Sequence, residues 1–110
     1  MEPNNAVALI DQSIAHFQAE IVELETLLQA EAQHALADWL LMEACKDYDT
    51  IDLSDDIVGK AHRKHWKTLR DQKRNTEKMI TALQALRESA AAPEGEKLRK
   101  KFDQEMEKYV

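Results

Sequence analysis

A heptad of apolar residues near the start of the chain constrains the fold more than any other sequence feature. Apolar side chains recur at alternating steps of three and four residues, at Val7, Ile10, Ile14, Phe17, Ile21, Leu24 and Leu28. This spacing places them on one side of an α-helix and is typical of a coiled-coil seam. After Leu28 the apolar residues shift to Ala32, Leu36 and Trp39 or Leu40, followed by Glu43. We therefore expect a stutter there, where the coil locally unwinds.

The composition excludes most alternatives to an all-α fold. The 110 residues include only two Gly and two Pro, so sandwiches, barrels and Gly-rich nucleotide loops are disfavoured. A single Cys rules out an internal disulfide and favours a reducing compartment. We find no apolar run of membrane-spanning length and no basic leader segment, and we expect a cytoplasmic protein.

The rest of the chain predicts an antiparallel hairpin over residues 1–92, with a short amphipathic helix over 93–110. The first helix is expected over about 5–45 and an Asp-rich loop over 46–54. The second helix, about 55–91, would be capped by Ser54 and fixed by a staple between Leu53 and Val58. Its weaker apolar stripe is Val58, His62, Trp66 with Leu69, Thr76, Met79 or Ile80, Leu83 and Leu86. Pro93 ends it.

Charge is divided between the two predicted helices. Residues 1–45 carry eight acids and no Lys or Arg, whereas residues 60–92 carry nine bases and three acids. A turn near residue 50 would pair residue i with about residue 101 − i, which places Glu31 by Arg70 and Asp38 by Arg63. Acid then meets base and apolar meets apolar, and this agreement supports the hairpin.

Two long helices bury only one stripe each, so we expect an antiparallel homodimer that forms a four-helix bundle. We also expect contact with a further, unidentified protein, because Trp, Tyr and Met are favoured at interfaces. The candidate partner-binding residues form one cluster near the loop and one on the last helix: Trp39, Leu40, Met42 and Trp66, then Leu98, Phe102, Met106 and Tyr109.

Two further patterns suggest other chemistry. A basic stripe on the second helix, at Lys60, Arg63, Lys67, Arg70 and Arg74, is the kind of surface that contacts nucleic acid. The net charge of −6 opposes that role, and pairing with the acidic first helix is the alternative. A Glu-x-x-His and a His-x-x-His pair supply metal-ligand candidates, Glu31, His34, His62 and His65, although nearby bases disfavour a cation. We expect no cofactor.

No catalytic motif is evident. Cys45 has no neighbouring base at an activating spacing. The first helix lacks the arginines of helical chorismate mutases. Glu20 and Glu23 match only half of the magnesium motif of all-α nucleotide pyrophosphohydrolases. In size and architecture, but in no specific motif, the chain resembles small helical-hairpin regulators such as secretion chaperones, anti-activators and phage-encoded inhibitors.

The sequence therefore predicts a non-enzymatic, protein-binding regulator that acts as a helical homodimer. The alternative is a nucleic-acid-associated protein that uses the basic stripe. The third possibility is a helical metal-binding protein.

Overall fold

The fold is all-α, an antiparallel helical hairpin followed by a short C-terminal helix, which confirms the predicted fold class at this level. The computed structural model describes residues 5–52 and 60–109, with Lys60 described by its backbone alone. Helix α1 spans Asn5–Cys45 and α2 spans Lys60–Ala91. A single 3-10 turn, Pro93–Gly95, leads into α3, Glu96–Glu107. The predicted dimer is not part of this single-chain fold and stays a prediction.

Turn hydrogen bonds follow the end of α1. The Lys46 N–H donates to the Glu43 carbonyl, and the Tyr48 N–H donates to the Cys45 carbonyl. The predicted Ser54 cap, the Leu53–Val58 staple and the start of the second helix at residue 55 lie outside the described residues.

Contacts divide the chain into two compact units, and each unit takes one part of α1 and one part of α2. The first unit is Met1–Glu20 with Thr76–Val110. Its buried apolar side chains are Ala6, Ile10, Ile14, Ile80 and Ala90. An apolar groove of about 170 Å³ is lined by α1, α2 and α3 residues, Ala6, Leu9, Ile10, Ser13, Leu86, Leu98 and Phe102. This unit therefore has a small core of the expected kind, to which α3 contributes.

The second unit, Ile21–Asn75, has far less apolar core. Among its described residues, Leu69 is the one buried apolar side chain. Polar contacts mark the antiparallel register instead, since Glu25 contacts Lys73 at 3.6 Å and Glu31 contacts His65 at 3.1 Å. In the predicted register Glu31 would meet Arg70. The observed register therefore differs from the predicted one by about one helical turn.

The expected stutter in α1 is wrong. The seam from Val7 to Leu28 is buried or half-buried throughout, as the heptad predicts. Beyond it, the less exposed positions are Glu31, Ala32, Ala35, Asp38 and Cys45, and among them Glu31, Ala35 and Asp38 continue the alternating steps. The sequence pattern places Leu36 and either Trp39 or Leu40 on the inner side, but all three are exposed. The alternating steps therefore continue to Asp38, with charged residues at two of the inner positions.

A close backbone contact sets the elbow between α2 and α3. A Cβ atom at Gly95 would lie 2.0 Å from the Ser89 carbonyl oxygen and 2.9 Å from the Ala90 Cα, so only glycine fits there. The Arg99 guanidinium secures the same elbow. Its Nη1 donates to the carbonyl oxygens of Ala90 at 2.6 Å and Ala92 at 2.8 Å. The Ala90 carbonyl belongs to the last turn of α2, where helix carbonyls lack intrahelical partners, whereas the Ala92 carbonyl also accepts from the Gly95 N–H at 2.9 Å.

We expect Gly95→Ala to destabilise the protein, because the added methyl group cannot be accommodated without moving α3 away from α2. Overpacking of this kind typically costs about 1–3 kcal/mol, which lowers the Tm by several degrees. Thermal unfolding followed by circular dichroism measures the effect. Glu94→Ala, at the exposed neighbouring position, is the matched control. Equal Tm values for Gly95→Ala and wild type would contradict the elbow geometry.

Candidate functional site

Along part of α1 in the second unit, charged side chains lie on the inner side and large apolar side chains are exposed. Between Thr26 and Met42 the two charged side chains, Glu31 and Asp38, are among the less exposed residues. The exposed residues of the same stretch include no Asp, Glu, Lys or Arg. A helix at a protein surface ordinarily shows the opposite arrangement, with apolar residues inside and charges outside. This reversal marks the segment as the strongest candidate for a functional surface.

The inner side is organised around the Glu31 carboxylate, whose side chain is 18% exposed. The Nδ1 of His62 donates to Oε2 at 2.7 Å, and the Nδ1 of His65 lies 3.1 Å from Oε1. The spacing of three residues places both imidazoles on one face of α2, where a single carboxylate bridges them. His34 stacks on His62, with ring centroids 4.9 Å apart.

These hydrogen bonds also change the acidity of Glu31. The bond from His62, and next the bond from His65, lower the pKa of the Glu31 carboxyl below its ordinary value of 4.5. The ionised form is favoured because both imidazoles donate to it. The carboxylate therefore stays charged while its neighbours hold it, and this charge is kept away from the outer side of α1.

The structure brings all four metal-ligand candidates together, but not in a metal-binding arrangement. Glu31, His34, His62 and His65 form one cluster in which two Nδ1 atoms point at carboxylate oxygens. Within the described part of the chain, no group of three His, Cys, Asp or Glu side chains is placed to hold a metal ion. The cluster acts as a hydrogen-bonded contact between α1 and α2.

We call the exposed side of this stretch the outer face. It consists of Thr26, Gln29, Ala30, Gln33, Leu36, Ala37, Trp39 and Leu40. Leu27, His34, Leu41 and Met42 are also exposed but lie on the flanks towards α2, where His34 stacks on His62. Leu36 and Leu40 are each 60% exposed and Trp39 is 54% exposed. These three residues lie at i, i+3 and i+4, so their side chains are neighbours on the helix surface. Leu40 and Met42 of the predicted partner-binding cluster thus lie with Trp39 in exposed positions.

Trp66, the fourth member of that cluster, is placed differently. It is half-buried, and the Arg70 guanidinium lies over its ring at 5.3 Å. In the observed register it lies level with Glu31 rather than with Trp39. Of the predicted basic stripe, Arg63, Lys67 and Arg74 are exposed and Arg70 is half-buried. The Lys60 side chain lies outside the described set.

The candidate residues of the C-terminal segment divide into two pairs. Leu98 and Phe102, on α3, are half-buried and line the groove of the first unit. Met106, in the last turn of α3, and Tyr109, in the turn that follows, are exposed. Cys45 is half-buried at the end of α1.

Reasoning from the sequence identified Trp39, Leu40 and Met42 as a contact patch but missed that Glu31 and Asp38 lie on the inner side and leave Leu36 exposed. The sequence did contain a signal for it, because the steps of three and four continue from Leu28 through Glu31, Ala35 and Asp38. The prediction of the inner side rests on Leu36 and on Trp39 or Leu40 instead, because apolar residues ordinarily mark the inner side of a helix.

Comparisons with known proteins give no family for this chain. The sequence matches no protein-family model, and no curated protein or solved structure shows significant similarity to it. Among the described residues, we find no helical segment that combines the length and the hydropathy of a membrane span.

We expect Glu31→Gln to remove an acid-sensitive part of the stability. A carboxyl whose pKa is lowered in the folded state stabilises that state above its unfolded pKa. This contribution is lost as the pH falls through the lower folded value. The difference in urea midpoint between wild type and Glu31→Gln should therefore be present at pH 6 and shrink below about pH 4.5.

The matched control is Glu25→Gln, which removes the longer and more exposed contact with Lys73. Its effect at pH 6 should be smaller, since exposed ion pairs stabilise little. A Glu31→Gln difference that stays constant from pH 6 to pH 3.5 would contradict this assignment.

Proposed function

We propose that the chain is a non-enzymatic, protein-binding regulator of the anti-activator, inhibitor or chaperone type. It acts as a helical homodimer that occupies a surface of a partner protein. The observation that carries the proposal is the outer face, where large apolar side chains are exposed on a segment whose charges are turned inward. Exposed apolar patches of this kind mark protein-contact surfaces.

The small core of the second unit supports the same conclusion. With Leu69 as its one described buried apolar residue, this unit removes little apolar surface from water by itself. Hydrophobic stabilisation is roughly proportional to the apolar area buried. Docking against another helix would supply burial that the two helices do not provide to each other.

The end of α3 supplies a second contact surface. Leu98 and Phe102 line the groove in their own unit, so we assign partner binding at this end of the chain to Met106 of α3 and to Tyr109 in the turn that follows it. Tyrosine and methionine are enriched in protein interfaces, and an exposed helix end reaches a groove in a partner without rearrangement.

The first experiment is capture from a lysate of the source cells on the immobilised full chain, followed by mass spectrometry. We expect one protein to be retained in stoichiometric amount. With that protein purified, Met106→Ala/Tyr109→Ala should weaken its binding at least tenfold by calorimetry, because both side chains lose their contact area. Lys100→Ala, at an exposed α3 position, is the control. Failure to retain any stoichiometric protein would contradict the proposed function.

Nucleic-acid binding is the second candidate, and one observation favours it. Arg63, Lys67 and Arg74 present basic side chains on exposed positions of α2. Phosphate contacts by Lys and Arg give binding that weakens steeply with salt.

A gel shift with short duplex and single-stranded oligonucleotides at low and moderate salt tests this candidate. A shift that disappears in Lys67→Glu/Arg74→Glu but persists in Lys97→Glu/Lys101→Glu would establish it. We expect no shift, since the chain carries a net charge of −6.

A further inference from the structure

The outer face has a chemical property that restricts what can cover it. Helix α1 carries acids but no Lys or Arg, so two α1 helices brought together would ordinarily place acid beside acid. Between residues 26 and 42 the exposed side has no such charge, because Glu31 points to His62 and His65. A basic or mixed-charge partner would gain from acids on this side, whereas a second α1 requires their removal.

We propose that the outer face binds the outer face of a second copy of this chain, with the two α1 helices antiparallel and crossing near residue 38. This inference rests on the proposed function and names the occupant of its main surface. It also assigns Trp39, Leu36 and Leu40 to the contact between copies. The partner protein would then bind to other surfaces of the chain, such as the end of α3.

The register follows from matching the two faces under two-fold symmetry. A crossing at residue 38 places Leu36 against Leu40 of the second copy, and Leu40 against its Leu36. It also places the Gln33 amide opposite Glu43 of the second copy, where an N–H can donate to the carboxylate. A parallel, in-register contact would instead oppose Glu43 to itself, which like charges disfavour.

The available area fits an interface of ordinary size. At the exposed fractions of Leu36, Trp39 and Leu40, these side chains present roughly 400 Å² of surface on each chain. A specific interface removes about 800 Å² per partner, of which somewhat more than half is apolar. The three side chains would thus form the centre of such an interface, with Gln33 and Glu43 at its rim.

A charge-exchange series on the full chain tests the proposal by sedimentation equilibrium. We expect wild type to be dimeric at micromolar concentration. Leu36→Glu should raise the dimer Kd at least tenfold, because it places a carboxylate against Leu40. The double variant Leu36→Glu/Leu40→Lys should recover association, since each new acid then faces a new base. Only the double variant's association should weaken as salt is raised.

The control is Ala15→Glu, which adds the same charge at an exposed α1 position in the other unit. Its Kd should equal that of wild type. Disulfide trapping gives an independent readout of direction. In a Cys45→Ala background, Gln33→Cys mixed with Glu43→Cys should form a mixed disulfide dimer, and Glu43→Cys alone should not.

A wild type that stays monomeric at 100 µM overturns the inference, as does a double variant that fails to recover association. Homodisulfides of Glu43→Cys alone overturn the antiparallel arrangement. A monomeric wild type would also remove the homodimer from the proposed function, whereas a double variant that fails to recover association or a wrong disulfide would leave both the homodimer and partner binding untouched. Partner binding is tested separately by the capture experiment. A monomer that binds a captured protein through Leu36 and Leu40 would assign the outer face to that protein instead.

Discussion

The bridge that Glu31 makes between His62 and His65 is the interaction on which the second unit depends. A carboxylate on the inner side of a helix requires hydrogen-bond donors, and the two imidazoles provide them at 2.7 and 3.1 Å. Because Glu31 is satisfied there, the heptad phase continues and the leucines that follow turn outward. One polar contact therefore decides which side of α1 is available to another molecule.

The two units show two ways of pairing the same helices. The first unit buries isoleucines and alanines, and its Arg87–Asp11 pair lies at the exposed margin. The second unit relies on specific polar contacts, and these contribute orientation more than net stability. An apolar seam tolerates several registers of similar energy, whereas the bridge requires one carboxylate to meet two imidazoles three residues apart. The polar unit thus supplies specificity and the apolar unit supplies most of the hydrophobic burial.

Much of this fold could be predicted from the sequence, and the limits have identifiable causes. The heptad from Val7 to Leu28 predicted both the helix and its inner side, because apolar burial dominates there. The predicted pairing differs from the observed one by about one turn, because it rests on an Asp-rich loop near residue 50 and on charge and apolar matches, which do not fix the register to within one turn. The inner position predicted for Leu36 is wrong, since helix patterns assume that apolar residues mark the inner side, whereas Leu40 is exposed as its assignment to a contact patch requires. The Arg99 and Gly95 elbow carries no sequence signal beyond Pro93, because a close backbone approach is a tertiary property.

Gly95 has a consequence for how sequence change can be accommodated. Two contacts set the direction in which α3 leaves α2. The Gly95 backbone packs against the backbone of Ser89 and Ala90, and the Arg99 guanidinium donates hydrogen bonds to the carbonyl oxygens of Ala90 and Ala92. Side chains on the exposed positions of α3 take no part in that geometry. The exposed residues of this helix are therefore free to diverge while the helix keeps its place. The position of the helix and the chemistry of its exposed surface are controlled by different residues, so one can evolve without the other.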